Sequence, residues 1–210
     1  LEHARQAPAI AHGGDFVLRA AAARTLALAE SYAGNVGLAL AAWRDRYEAL
    51  TALGHAREMA RVGINLGYAL TSVGDAEAAR PLLEQSLVTC RELGMRRYEM
   101  WTLHNLGLTL ARLGQPQAGL DAEDIAIAWA REQGEGQLEV DCLLYRAVIA
   151  LEAGRVDEAA AFAREALERA ESAQRTAAVI MCRAALAAAL AASEQFDAAL
   201  VAANRSLADR

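Results

Sequence analysis

Three features of the sequence predict an all-α fold of about five antiparallel helix hairpins, ten helices in all. The first is composition: 55% of the 210 residues are hydrophobic but only 5% are aromatic, and the excess is largely alanine. Alanine is the best helix former and brings little volume, so this composition favours closely packed helices over a sheet. The second is a self-similarity at an offset of 40 residues, which lays Asn65-Leu66-Gly67-Tyr68-Ala69-Leu70 over Asn105-Leu106-Gly107-Leu108-Thr109-Leu110. Ala39, Ala79, Ala159 and Ala199 share one column, broken only by Gly119, and Leu87, Ile127, Leu167 and Leu207 share another. The third is a pair of glycine columns in the same register: Gly34, Gly74, Gly114 and Gly154, and Gly14, Gly54, Gly94 and Gly134. They alternate about every 20 residues, where a helix C-terminus needs a left-handed residue that glycine adopts cheaply.

Between these turns apolar residues recur at helical spacing, predicting helices over 16–33, 35–53, 55–73, 75–93, 95–113, 115–133, 135–153, 155–173, 175–193 and 195–208. Asp15 is placed to cap the first of them. In the third helix Leu66, Leu70 and Val73 are expected to point into the stack, and Leu83, Leu87 and Cys90 recur at the same helical spacing in the fourth. Pro81 should kink the fourth helix or shift its start. Pro116 falls at a helix start, where its missing N–H costs little. In the last copy Leu-Gly becomes Leu186-Ala187 and Glu194 replaces the turn glycine. Short turns make sequential helices antiparallel neighbours. The hairpins are therefore expected at about 15–54, 55–94, 95–134, 135–174 and 175–210. Residues 1–14 read as a linker or the remnant of a preceding repeat, damaged by Pro8.

The formal net charge of -6 argues against a direct nucleic-acid partner. No stretch approaches the ~18 uncharged apolar residues of a membrane span, so no membrane partner is expected. No signal peptide is visible in the first residues. Three cysteines, Cys90, Cys142 and Cys182, fit reduced, buried thiols in a cytoplasmic protein better than a disulfide framework. The chain does not begin with methionine, and a piece cut from a longer protein is expected.

The pattern Leu66-Gly67, Leu70, Gly74-Asp75, Ala78-Ala79 resembles the tetratricopeptide repeat, over about residues 16–210. The period of 40, against about 34 in the commoner form, is similar to the long-helix subtype of kinesin light chains, peptide-sensing bacterial regulators and the sensor regions of large bacterial transcription activators. The resemblance implies a right-handed superhelical α-solenoid. Small residues at Gly67, Gly107 and Ala147, and at Ala79, Gly119 and Ala159, would then let paired helices approach closely.

In such a superhelix the first helix of each hairpin lines the concave face. Arg61, Asn65, Tyr68 and Ser72 share one helix face, and their counterparts are Trp101, Asn105, Leu108 and Arg112, then Asp141, Tyr145, Val148 and Glu152. Packing columns repeat, whereas this stripe differs in every copy. The candidate ligand-binding residues are therefore Arg61, Asn65, Tyr68, Trp101, His104, Asn105, Arg112, Asp141 and Tyr145. Asparagines can bond a peptide backbone through both donor and acceptor, arginines can hold a carboxylate, and aromatics supply anchoring area. In the resembling subtype, groove asparagines contact peptide backbone.

Catalytic readings find little support. His3, His12, His55 and His104 lack metal-ligand spacing, and Cys142 and Cys182 share a column as small packing residues. Gly13-Gly14-Asp15-Phe16 is similar to the diguanylate cyclase signature, but the strand hairpin and metal-binding carboxylates of that chemistry are missing. Asp121, Glu123 and Asp124 read as a solvated helix face. No phosphate-binding glycine loop occurs. No cofactor, metal or enzymatic activity is expected. The leading expectation is a non-catalytic protein- or peptide-binding scaffold, a segment of a larger bacterial signalling or transcription-regulatory protein. The alternative is a regulatory small-molecule receptor whose groove encloses its ligand. The alanine-rich C-terminal hairpin, with Ala185, Ala188, Ala189 and Ala192, is expected either to continue into more protein or to form a homodimer.

Overall fold

The computed structural model describes residues 15–208, and the expected linker or repeat remnant at 1–14 lies outside them. The described residues form ten helices and no strand: α1 Phe16–Tyr32, α2 Val36–Leu53, α3 Ala56–Ser72, α4 Ala76–Glu92, α5 Arg96–Arg112, α6 Pro116–Gln133, α7 Gly136–Glu152, α8 Val156–Ser172, α9 Thr176–Ala192 and α10 Phe196–Ala208. This is the all-α hairpin fold the repeat predicts. Each predicted span overlies its helix to within a residue or two. The chain divides into two compact units, residues 1–109 and 110–210. In the first, α1 packs on α2, α2 on α3 and α3 on α4. In the second, α6 packs on α7, α7 on α8, α8 on α9 and α9 on α10.

The turns explain the period. Nine times, the N–H five residues after a carbonyl closes the helix end: Asn35 N to Glu30 O, His55 N to Leu50 O, Asp75 N to Leu70 O and so on at 20-residue steps to Gln195 N to Leu190 O, over 2.8–3.2 Å. This bond requires a left-handed residue just before the donor. Seven glycines supply it, with φ between 63° and 89°. The last two turns use Gln174 and Glu194 at φ 52° and 60°, so the turn survives loss of the glycine at the expense of strain. Asp15 caps α1 as expected, its Oδ1 accepting from Val17 N at 3.0 Å and Leu18 N at 3.2 Å.

One expectation narrows and one needs correction. Of the two outcomes expected for Pro81, a shifted start of α4 does not occur, because Asp75 accepts from Ala78 N and fixes the first turn ahead of it. The helix continues past the proline, which withholds one backbone donor inside the helix. Val73 is 49% exposed and does not pack inward, because it is the residue after the last helical one, where the chain already turns away from the stack.

Close approach is visible at α3 and α4. A Cβ added to Gly67 would lie 2.5 Å from Leu83 Cγ, and one added to Gly63 would lie 2.2 Å from Ser86 Oγ. The bare backbone of α3 thus serves as the surface on which α4 rests.

Candidate functional site

The predicted stripe falls on separate helices. Helix α3 turns Val62, Leu66 and Leu70 inward, which leaves the intervening face outward. There Asn65 is exposed, Tyr68 is 51% exposed, and Ser72 donates to Tyr68 O at 2.8 Å. Arg61 is partly committed within the protein: its Nη1 donates to Glu58 Oε1 at 2.7 Å, and its guanidinium lies 5.1 Å from the centre of the Tyr98 ring. The stripe's spacing could not have found Tyr98, which sits three residues before Trp101 on α5.

Helix α5 presents a more enclosed set. Trp101 is half-buried and packs with Tyr98 on a cluster of Ala60, Ile64, Cys90 and Met95. His104 is buried and meets the Trp101 ring edge-on, with 5.7 Å between centroids. Asn105 is only 8% exposed, and its Nδ2 donates to Ile64 O at 3.3 Å. The two asparagines of the repeat motif are therefore not equivalent: Asn65 faces outward, and Asn105 fastens α5 to α3. A second fastening joins the same helices, Thr71 Oγ1 to Thr109 Oγ1 at 2.8 Å.

The remaining stripe residues belong to the second unit. Arg112 lies 3.7 Å from Glu152, which shares its column, and Asp141 lies 4.0 Å from Arg175. Such partly exposed ion pairs each contribute little to stability. Tyr145 is half-buried beside them on α7.

Buried polar groups elsewhere were less legible. Asp121 and Asp124 are exposed, but Glu123 is buried, contrary to the solvated face expected for all three. Its column holds Trp43, Leu83 and Ala163, a packing position into which a carboxylate has been placed. Burial, followed by the charge of Glu123, pushes the Cys142 thiol far up. Burial likewise pushes Cys182 up to about 11. All three cysteines are free and buried, so none is an activated nucleophile. Buried Glu99 receives Arg91 Nε at 2.9 Å and Arg96 Nη1 at 2.7 Å. Burial alone would raise its carboxyl, but the two arginine hydrogen bonds outweigh it and hold the group below the usual range.

Residues 57–123 match the tetratricopeptide-repeat family. No curated protein matches the chain. Among solved structures, it is similar to a Rap protein complexed with Competence and Sporulation Factor, with TM-score 0.86 and 14% identity over 98% of this chain and 57% of that one. It is also similar to BtubC from P. vanneervenii, with TM-score 0.69 and 15% identity over 100% and 87%. Aspartyl phosphate phosphatase F from Bacillus subtilis gives TM-score 0.73 and 16% identity over 100% and 54%. The chain thus spans a little over half the length of the Rap protein and of the phosphatase. At these identities the likeness is one of fold.

Proposed function

We propose, from the match of residues 57–123 to the tetratricopeptide-repeat family, that the chain is a non-catalytic scaffold that binds an extended peptide along the outward face of α3 and the adjoining aromatic surface of α5. The observation that carries this reading is the pairing of an exposed amide and phenol, Asn65 and Tyr68, with the half-buried Trp101, all on helices locked by internal hydrogen bonds. A rigid surface with aromatic anchors and an available amide suits peptide recognition, because little ordering entropy remains to be lost on binding. The Rap protein of similar fold is complexed with Competence and Sporulation Factor, which supports reading this fold as one that holds a partner. The same likeness supports reading the chain as a segment of a larger bacterial signalling or transcription-regulatory protein in the cytoplasm. No helix among the described residues is long and apolar enough to cross a membrane. Self-association through the last hairpin belongs to this proposal as well, since Phe196 and Leu200 on α10 are exposed. Light scattering at low micromolar concentration reads that part directly, and a pure monomer refutes it.

The test of the binding reading is a peptide library panned against the chain, with selected peptides measured by calorimetry. Asn65→Ala with Tyr68→Ala should weaken binding roughly tenfold or more while leaving the melting curve unchanged, since both side chains are exposed. Undiminished binding refutes the proposed surface. Asn105→Ala is unsuited to this purpose, because it also removes an internal hydrogen bond.

A further inference from the structure

The first hairpin contains a cavity on the first copy of the stripe, where Thr25 and Leu28 stand in the columns of Asn65 and Tyr68. It measures about 520 Å3, and its walls include Leu28, Leu50 and Leu53 on the apolar side and Arg24, Thr25 and Arg46 on the polar side. That size falls within the range of small-molecule sites.

Arg46 is out of place by the logic of the repeat. Its column continues as Ser86, Ala126, Ala166 and Ser206, all small. In the last hairpin Ser206 Oγ donates to Ile180 O at 3.0 Å, and Arg46 Nη1 makes the corresponding bond to Ala20 O at 3.0 Å. A hydroxyl is therefore enough for the structural task of this position. The guanidinium brings more than the fold requires: a positive charge, and an Nε that is buried and bonds nothing, in a residue only 8% exposed. Buried donors are nearly always satisfied, so this orphan marks Arg46 as a side chain kept for something other than the fold.

The surrounding charge agrees. Arg46 Nη2 lies 3.0 Å from Glu58 Oε2, but the other oxygen of Glu58 is taken by Arg61, so one carboxylate serves two guanidiniums. Arg24 adds a third and makes no ion pair with any described residue. Burial first, and then the repulsion of Arg24 and Arg61, lower Arg46 below its ordinary range against the pull of Glu58. In a chain of net charge -6, this is a local excess of positive charge facing an apolar wall.

We propose that this cavity binds a small aliphatic carboxylate, its anionic head held by the Arg24 and Arg46 guanidiniums and its hydrocarbon part lying on Leu28, Leu50 and Leu53. The flat guanidinium fork matches a carboxylate. Inorganic phosphate would satisfy the arginines but has nothing to place against the leucines. Peptide binding along α3 is not required for this site, and either reading can fail without the other.

The experiment is a titration of the whole chain with hexanoate, followed through the arginine Nε–H resonances and by calorimetry. Hexanoate should bind saturably and shift the Arg46 Nε–H signal. Hexanamide should bind roughly tenfold or more weakly, the usual consequence of losing a charge-assisted hydrogen bond. Arg24→Gln should weaken hexanoate to a similar degree with an unchanged melting curve. Arg46→Ser, which restores the residue found in the second and fifth copies, should fold and lose binding. The proposal is overturned if hexanoate fails to bind in the millimolar range, if hexanamide or inorganic phosphate binds as well as hexanoate, or if both variants bind it normally.

Discussion

Replacing Gly67 with alanine tests whether the close approach of α3 and α4 stabilises the protein. In an exposed helix this change would add about 1 kcal/mol of stability, because alanine is the better helix former. Here the new Cβ would lie 2.5, 2.6 and 3.1 Å from Leu83 Cγ, Cδ2 and Cδ1, where ordinary contact begins near 3.4 Å. Leu83 is buried, and because Cγ itself is too close, no rotamer of its two methyls relieves the overlap. The helices must separate by most of an ångström, and overpacking of this kind costs about 1–3 kcal/mol. With the propensity gain deducted, Gly67→Ala should destabilise by up to about 2 kcal/mol, or up to roughly 8 °C in Tm for a chain of this length. Circular dichroism at 222 nm through heat and urea melts reads the change. Gly37→Ala is the control: that glycine lies in α2 with nothing within 4 Å of the added carbon, so it should stabilise slightly. Leu83→Ala alone should cost about 2–5 kcal/mol. Combined with Gly67→Ala it should cost less than the sum, because the clash disappears with the side chain. A Gly67→Ala that stabilises as much as an exposed glycine would, or strict additivity in the double variant, refutes the packing argument.

Two further predictions concern the turns and the buried charge. Glu194→Gly removes a left-handed strain at φ 60° and should stabilise by about 1 kcal/mol, raising Tm by roughly 2–4 °C; a lower Tm would show that Glu194 earns its position by another contact. The Glu99 carboxyl is held below its unfolded range by Arg91 and Arg96, so its stabilisation is present above the ordinary carboxylate pKa and lost as pH falls through the folded value. Glu99→Gln should therefore cost about 1–2 kcal/mol at pH 7 and progressively less toward pH 3. Urea melts across that range check it, and a pH-independent difference refutes the linkage.

Local rules made the fold legible. A left-handed residue at a helix end depends on its nearest neighbours, so the glycine columns placed the turns, and even the turns at Gln174 and Glu194 kept the 20-residue step. Val73 shows where periodicity falls short, and Glu123 where charge misleads. Val73 continues an apolar pattern one residue past the helix, where the pattern no longer describes direction. Glu123 was read by its charge and its acidic neighbours, although its own column of Trp43, Leu83 and Ala163 marked the position as core.

The site was legible in part, for a related reason. The spacing of Arg61, Asn65 and Tyr68 on one helix placed them together on α3. The fate of Asn105 could not be read the same way, because its partner is a carbonyl 41 residues earlier. Arg46 likewise owes its burial to Ala20, 26 residues away, and to Glu58 on a third helix.

The 40-residue repeat by itself thus determined the helix class, the helix ends and the stripe that varies from copy to copy, since each rests on short-range backbone geometry and helical periodicity. Only the tertiary structure decided which polar side chains face outward and which are buried as fastenings or as an unsatisfied donor. Burial depends on what neighbouring helices bring to a position, and a column of the repeat records only how much room they leave.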